Sequence, residues 1–278
     1  MKSYHNIDLY KCNTMRLHCI ADEVLFPETL EELEIAVYNK KDYYVIGAGS
    51  NIVLPSKLHK TVISLRDFAT ELSFIEEEVV CSSAVRIQHL IRESQKHGFG
   101  GIEYLYSVPC SVGGAIFMNA GRGKEYYQSI GNFVEWVECF NTLSCKTEIL
   151  RKQDCNFEYR NSIFHDKKRI ILRAGLRLKK QEFTITESKI KERILYSNEK
   201  LDASRPSCGS IFYTGSGKII KLLKGLRIGG AEYSKKTNNW ISNVHSAKNW
   251  QVRFLIHIGI FLHRILFRPY KLEIEIWR

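Results

Sequence analysis

The fold of this chain is decided by residues 29–65, which read TLEELEIAVYNKKDYYVIGAGSNIVLPSKLHKTVISL. Thr29 opens a capping box and apolar residues recur after it at helical spacing, which predicts a helix over 29–40. Tyr43 to Ile46 has the pattern of a buried strand, a glycine turn follows, and Thr61 to Leu65 has the pattern of the next strand. A helix, a strand, a glycine turn and a second strand in this order predict an α/β or α+β layer.

Further along the chain, the same signals predict a second block of strands and helices and then a polar boundary. We expect strands over 79–82, 134–140 and 169–178, and a helix over 86–97 with Gly98 as its C-terminal cap. Residues 181–205 are polar and partly helical, with Thr186 as a candidate cap. The main domain boundary is therefore expected near residue 185, with a smaller unit after it.

Length and composition are those of an ordinary globular protein. The 278 residues suffice for about two domains of roughly 150 residues, and 44% apolar with 26% charged residues argues against disorder, collagen-like repeats and a long coiled coil. Lys and Arg number 41 and Asp and Glu number 30, so the net charge is 41 − 30 = +11. This charge favours an anionic partner, although no nucleic-acid-binding motif is present.

The N-terminus and the cysteines are typical of a cytoplasmic protein. The first residues, MKSYHNIDLYKC, contain no apolar block of signal-peptide length. The eight cysteines include no C-x-x-C pair and lie in apolar or mixed contexts, as reduced core thiols do. We therefore expect no disulfide and no metal site.

The most apolar stretch, residues 254–267, is too short to cross a membrane. It reads FLIHIGIFLHRILF and contains His257, His263 and Arg264, whereas a membrane span needs about 20 apolar residues. We expect a buried helix here in preference to a helix on a membrane surface, and no membrane span.

Two glycine-rich loops are candidates for binding phosphate. The first is Gly47-Ala48-Gly49-Ser50-Asn51, and the second runs from Pro109-Cys110-Ser111 through Gly113 and Gly114 to Asn119-Ala120-Gly121. Consecutive backbone N–H groups in such loops can form a concave anion site, and two loops could hold the two phosphates of a dinucleotide. Tight turns and close backbone packing explain the glycines equally well. Because position 52 is Ile, the first loop does not match the Rossmann motif G-x-G-x-x-G.

Three further residues have ordinary readings when each is taken alone. Arg160 lies among aromatic and apolar neighbours and reads as a surface or ion-pair residue. Ser210 lies on a glycine turn with no His at a motif-defining offset, so a serine hydrolase is weakly supported. Glu275 lies in an alternating strand and reads as part of a solvated face.

The order of these segments along the chain resembles the UDP-N-acetylenolpyruvoylglucosamine reductase family, the flavoenzymes of peptidoglycan precursor synthesis, also called UDP-N-acetylmuramate dehydrogenases. The resemblance rests on nine segments in the family's order: Asn13–Arg16, Gly47–Asn51, Gly101–Leu105, Val112–Ala115, Met118–Gly121, Phe157–Phe164, Pro206–Phe212, Gly229–Asn243 and Leu272–Glu275.

The resemblance implies an α+β fold of three parts. Residues 1–66 and 67–184 would be two FAD-binding subdomains of the vanillyl-alcohol-oxidase type, and residues 185–278 a smaller substrate domain. It implies that NADPH reduces the FAD and that the flavin delivers hydride to the enolpyruvyl double bond. We expect the chain to be a monomer. Ser210 would be the proton donor, Arg160 and Glu275 would stabilise the intermediate, and the two glycine loops would hold the FAD pyrophosphate.

The chain departs from the family pattern at a few positions. Cys110 stands where the family has Gly, which puts a side chain where a positive φ or a close phosphate is expected. Tyr213-Thr214-Gly215 replaces Lys-Asn-Pro, Thr237 replaces His, and Trp240 replaces Phe. Two alternatives therefore stay open: a diverged FAD oxidoreductase acting on another anionic or nucleotide-sugar substrate, and a non-catalytic binding protein.

Overall fold

The computed structural model describes residues 1–40, 42–69, 71–123 and 126–278. Helices and strands both recur along the chain, as the α+β class requires. The helices are α1 Leu30–Asn39, α2 Ile87–Lys96, α3 Val112–Phe117, α4 Phe183–Lys200, α5 Gly217–Leu223 and α6 Asn249–Ile265. The strands are β1 Lys2–Asp8, β2 Ile20–Phe26, β3 Tyr43–Ile46, β4 Ile52–Val53, β5 Lys57–Leu58, β6 Thr61–Ser64, β7 Leu72–Ile75, β8 Glu78–Ser82, β9 Phe99–Gly100, β10 Val134–Asn141, β11 Lys146–Arg151, β12 Arg169–Arg177, β13 Lys179–Lys180, β14 Ser207–Ser210, β15 Phe212–Thr214, β16 Arg227–Ile228, β17 Ala231–Tyr233, β18 Trp240–Asn243, β19 Lys271–Leu272 and β20 Glu275–Ile276.

Local sequence signals placed α1 and its neighbouring strands correctly. The Thr29 hydroxyl accepts a hydrogen bond from the Glu32 amide, which satisfies one of the unpaired donors at the start of α1. The predicted strands at 43–46 and 61–65 are observed as β3 and β6. These predictions are confirmed because capping and buried strand patterns act over a few residues.

The chain divides into two compact units. Unit 1 contains residues 1–3, 25–47 and 62–195, and unit 2 contains residues 4–24, 48–61 and 196–278. A five-stranded sheet in the N-terminal part of the chain has the order β1-β2-β6-β3, with β5 paired to β2.

The core of unit 1 lies against an antiparallel sheet of order β11-β10-β12-β8-β7. The predicted strands and the predicted helix α2 are confirmed, and Gly98 follows α2 with φ +76°, the left-handed conformation of a C-terminal cap. Apolar residues of α2 and α3, including Leu90, Ile91 and Ile116, pack against Val137 and Ala174 of the sheet. This packing fixes α3 and thereby the second glycine loop.

Unit 2 is built on a sheet of order β14-β18-β17-β16 covered by α6. Leu255 and Ile256 of α6 are fully buried in a core that includes Tyr233 and Ile241. Two short strand pairs, β15 with β19 and β20 with β4, complete the unit.

Two expectations about helices need correction. Thr186 is no cap, because α4 begins at Phe183 and the buried Thr186 hydroxyl accepts a hydrogen bond from Gln181 Nε2 at 2.7 Å. The helix expected to be buried over 254–267 is observed as α6, but only one of its faces is buried. In the described residues, no helix combines the length and apolar content needed to cross a bilayer.

Candidate functional site

The second glycine loop of unit 1 leads into α3. Ser111 opens this helix, and its Oγ accepts a hydrogen bond from the Gly114 amide at 3.3 Å. Gly47, at the end of β3, lies beside the same side chain, since a Cβ at Gly47 would be 2.9 Å from Ser111 Oγ. The structure therefore joins the start of the first loop to the second loop inside unit 1.

Packing within the protein explains some glycines of the second loop and leaves one open. A Cβ on Gly113 would lie 2.7 Å from Ser83 Cβ, and one on Gly121 would overlap the Gln128 carbonyl oxygen. At Gly114 the nearest atom to such a Cβ is Ser111 Oγ at 3.5 Å, an ordinary contact. The backbone at Gly114 is thus the part of this loop that a ligand can approach without displacing protein atoms.

Cys110 fits the loop without strain. It is not among the residues with positive φ, and its side chain is buried in the core of unit 1. Its amide donates to the Val108 carbonyl at 2.9 Å and its carbonyl accepts from the Ile87 amide at 3.1 Å. Burial raises the pKa of the thiol to about 12. The expectation of a positive φ here is wrong, because the cysteine side chain points into apolar packing.

Asn119 and Ala120 serve the internal structure of unit 1. Asn119 is buried with φ +41°, its amide donates to the Glu158 carbonyl at 2.7 Å, and its Oδ1 accepts from the Gly131 amide at 2.9 Å. The Ala120 amide donates to the Ala115 carbonyl at 2.7 Å. These contacts hold the second loop against the segment that carries Arg160.

Arg160 lies in a tight turn closed by mutual backbone hydrogen bonds between Glu158 and Asn161. Its φ is +52°, and its guanidinium donates to the Gly121 carbonyl at 2.8 Å. Its Cζ also lies 5.1 Å from the centre of the Tyr159 ring. Unit 1 therefore brings Arg160 to the end of the second glycine loop.

The rest of the first glycine loop, residues 48–51, belongs to unit 2. Gly49 has φ +64°, and a Cβ there would overlap the Cys12 carbonyl oxygen, so only glycine fits. The Gly49 carbonyl accepts from the Thr14 amide at 3.1 Å, so the Asn13–Arg16 segment is held against this loop. Among the described residues, no protein acceptor pairs with the amides of Ala48, Gly49 and Ser50. Three neighbouring free donors of this kind suit an anion.

Glu275 is fixed beside the first loop by a strand pairing. In β20 it pairs in parallel with Ile52 of β4, and its amide donates to the Asn51 carbonyl at 2.9 Å. The Asn51 side-chain amide donates in turn to the Glu273 carbonyl at 3.0 Å. Asn51 thus serves as an anchor for the strand that carries Glu275.

Ser210 lies at the end of β14, opposite Trp240 of β18. It follows Gly209, whose φ is +78° and whose missing Cβ would meet no atom within 4 Å. Among the described residues, its hydroxyl has no hydrogen-bond partner, so it is available to a ligand. The next carbonyl, of Ile211, accepts from the Glu273 amide at 2.9 Å. Within unit 2, this bond ties the residue after Ser210 to the segment that leads into the Glu275 strand.

Asn239 is a site residue that sequence reasoning missed. Its Oδ1 accepts from the Phe212 amide at 2.9 Å, its Nδ2 donates to the Phe212 carbonyl at 2.7 Å, and its own carbonyl accepts from the Ile211 amide at 2.8 Å. Its φ of +64° is a conformation that asparagine adopts more readily than most residues. Asn239 lies within the Gly229–Asn243 segment of the family resemblance, but its role as a clamp was not predicted, and the Asn-Asn pair at 238–239 indicated only a turn.

The positions that depart from the family pattern have local partners. Thr237 is buried, and its hydroxyl accepts from the Asp202 amide at 2.6 Å. Trp240 pairs with Ser210 in the sheet. The Tyr213 ring lies 4.9 Å from the ammonium of Lys271, so a cation reaches the segment that lacks the family's lysine. The substitutions are therefore accommodated by the fold.

In the part of the chain that the structure describes, no three His, Cys, Asp or Glu side chains are grouped to hold a metal ion. All eight cysteines are free thiols, and seven of them are buried. For example, burial raises the pKa of Cys208, next to Gly209, to about 12. Cys208, two residues before Ser210, is therefore a neutral thiol at neutral pH.

Comparison with known proteins gives consistent matches. Residues 21–143 match a family described as an FAD-binding domain. The UDP-N-acetylenolpyruvoylglucosamine reductase of Pseudothermotoga lettingae is 32% identical over 90% of this chain and 89% of its own, and that of Thermotoga maritima is 30% identical over 91% of each chain. The crystal structure of the reductase of that type from Thermus caldophilus has a TM-score of 0.81 at 26% identity, covering 100% of this chain and 98% of its own.

Proposed function

Since the chain belongs to the UDP-N-acetylenolpyruvoylglucosamine reductase family, we propose that it uses NADPH to reduce the enolpyruvyl group of UDP-N-acetylglucosamine enolpyruvate to UDP-N-acetylmuramate. It is a flavin-dependent oxidoreductase with FAD as its cofactor. In the structure, the observation that carries the proposal is the linkage of Ser210, Glu275 and the first glycine loop by the Glu273–Ile211 and Glu275–Asn51 backbone bonds.

We assign the cofactor to the two glycine loops. In unit 2, the free amides of Ala48, Gly49 and Ser50 suit phosphate oxygens. In unit 1, a Cβ at Gly114 would meet only Ser111 Oγ, at 3.5 Å, so a ligand has room to approach the backbone there. Asn119, Ala120 and Gly121 support the second loop from within, and Ser111 shapes its turn. Bound there, FAD would supply hydride transfer from NADPH to the enolpyruvyl double bond.

Ser210 is assigned as the proton donor to the carbon next to the carboxylate. Hydride addition leaves negative charge at that carbon, and such a carbanion is basic enough to take a proton from a hydroxyl. The unpartnered Ser210 hydroxyl fits this role because no protein group competes for its proton among the described residues.

Arg160 and Glu275 are assigned to the intermediate. A guanidinium aimed at the substrate carboxylate stabilises developing negative charge where water is excluded. One guanidinium nitrogen of Arg160 donates to the Gly121 carbonyl at 2.8 Å, which orients the planar group. Glu275, in strand β20 beside the first loop, would be the second residue that stabilises the intermediate.

The three-part division at 1–66, 67–184 and 185–278 remains our proposal for which segments bind cofactor and which bind substrate. We further propose that the chain works as a monomer in the cytoplasm. Seven buried, unpaired cysteines support a reducing compartment.

An absorption experiment on the purified chain tests the function. Under anaerobic conditions, NADPH should bleach the flavin band, and UDP-N-acetylglucosamine enolpyruvate should restore it. Bleaching without recovery would favour a diverged reductase for another anionic substrate, and no flavin after reconstitution would favour a binding protein.

The same two half-reactions test Ser210. Ser210→Ala should leave bleaching by NADPH nearly unchanged and slow the recovery by about 100-fold or more. The matched control is Ser204→Ala, an exposed serine in the same segment, which should change neither step. Equal loss in both half-reactions of Ser210→Ala would contradict the assignment.

A further inference from the structure

The net positive charge of this chain comes from one segment. Residues 203–272 contain 12 Lys and Arg and a single acidic residue, Glu232, which is buried. The segment therefore carries 12 − 1 = +11, and the rest of the chain has 41 − 12 = 29 basic and 30 − 1 = 29 acidic residues, which cancel. A segment with this excess of positive charge attracts anionic partners.

Helix α6, inside this segment, presents an aromatic face to solvent. Trp250, Phe254, Phe261 and Ile265 are 58%, 51%, 60% and 49% exposed and recur at spacings of four, seven and four residues, which places them on one side of the helix. Two more exposed apolar residues, Leu266 and the 93% exposed Phe267, follow directly after the helix end. The exposed His257 lies on the same side, between Phe254 and Phe261. Single exposed apolar residues are ordinary, but four large ones on one side of a helix mark an interaction surface.

Basic residues surround this aromatic face. Lys248 precedes the helix, Arg264 lies within it, and Arg268 and Lys271 follow it, all of them exposed. Helix α5, which contacts α6, adds the exposed Lys218, Lys221 and Leu222. No acidic residue occurs in the sequence between Glu232 and Glu273, so no carboxylate of α5 or α6 offsets these cations.

We propose that the aromatic face of α6 binds the surface of an anionic lipid bilayer, with the helix lying in the plane of the interface. Trp and Phe side chains bordered by Lys and Arg are the composition of helices that insert shallowly into the headgroup region. Anionic lipid attracts each juxtaposed cation, and the aromatic side chains supply the apolar area. A second copy of this chain fits less well, because it would bring two segments of charge +11 together.

Vesicle flotation with the FAD-loaded 278-residue chain tests this proposal, which does not depend on the reaction. The chain should float with vesicles of phosphatidylcholine containing about 30% phosphatidylglycerol, remain unbound to pure phosphatidylcholine, and dissociate in about 0.5 M salt. Replacing two exposed aromatic side chains, in Phe254→Ser with Phe261→Ser, should lower the partition coefficient by about tenfold or more. The double variant Arg268→Gln with Lys271→Gln should also have a lower partition coefficient on the anionic vesicles.

The control is a double variant that loses exposed apolar side chains outside residues 203–272. Tyr38→Ser with Leu143→Ser removes two exposed apolar side chains outside the segment and should leave flotation unchanged. Thermal unfolding of each variant confirms that it is folded. Flotation that survives Phe254→Ser with Phe261→Ser, equal binding to both vesicle types, or no binding to either would overturn the proposal. The proposal would also be overturned if light scattering showed a dimer and if Phe254→Ser with Phe261→Ser converted that dimer to a monomer.

Discussion

The side chain of Asn239 holds the backbone of Phe212 from both sides, accepting from its amide at 2.9 Å and donating to its carbonyl at 2.7 Å. The clamped residue is two positions beyond Ser210, so the path of the strand that carries this serine depends on one amide side chain. Asn239 therefore acts through Ser210 as a positioning residue.

Asn239→Ala should lower the free energy of unfolding by about 2–4 kcal/mol, because two hydrogen bonds are lost and alanine is less favourable at φ +64°. It should also slow oxidation of the reduced flavin by substrate more than reduction by NADPH. Urea unfolding and the two half-reactions measure these effects. The adjacent exposed Asn238, changed to Ala, should alter neither, and an equal loss in Asn238→Ala would refute the clamp.

Arg160→Lys should reduce turnover by about 100-fold while leaving the melting temperature nearly unchanged. A lysine ammonium can replace the bond to the Gly121 carbonyl but cannot also present a planar pair of N–H groups to a carboxylate. Steady-state kinetics and thermal unfolding test this, with the exposed Arg151→Lys as the control. Near-normal turnover in Arg160→Lys would remove Arg160 from the mechanism.

Gly209→Ala and Gly98→Ala form a matched pair. Both glycines have positive φ, +78° and +76°, and at neither would a Cβ meet an atom within 4 Å. Each substitution should therefore cost about 1–2 kcal/mol of stability from backbone strain alone. Only Gly209→Ala should also lower turnover, because the backbone at position 209 would shift to relieve the strain and would move the adjacent Ser210. Equal turnover in the two variants would show that Ser210 tolerates a shift of its backbone.

Cys110→Gly should retain FAD but lower the free energy of unfolding by about 1–3 kcal/mol. The substitution empties a buried side-chain position and adds a flexible residue where positive φ is not needed. Cys110→Ala should cost less. Flavin content after gel filtration and denaturant unfolding are the measurements, and loss of flavin from Cys110→Gly would mean that the thiol orders the loop for the cofactor.

The thiols predict how stability changes with alkaline pH. Burial raises the pKa values of Cys81, Cys110 and Cys208 from 9.0 to about 12. Because the unfolded thiols ionise first, the stability that they contribute is complete below pH 9 and is lost progressively as the pH rises towards 12. Unfolding free energies measured from pH 8 to 11 should fall, and Cys208→Ala should make the fall shallower.

The exposed Cys145 gives a simpler check on the same thiols. A thiol reagent at pH 8 should react rapidly with one cysteine of the native chain, and Cys145→Ser should remove that reaction. Several fast thiols would contradict the burial of the other seven.

The sequence alone determined the features that depend on neighbouring residues. The Thr29 cap of α1, the strand before the first glycine loop and the Gly98 cap of α2 follow from local hydrogen bonding and from apolar periodicity, so they were predicted correctly. The order of motifs along the chain also sufficed to indicate the family, its cofactor and its reaction.

Tertiary structure alone decided how residues far apart in sequence are used. It placed the Cys110 side chain in the core, and it tied Glu275 to Asn51 across more than 200 positions. It made Asn239 the clamp of the Ser210 strand and left one face of α6 in solvent. Local patterns could not show these features, because whether a side chain is buried, or which backbone group it pairs with, is set by the elements that pack against it.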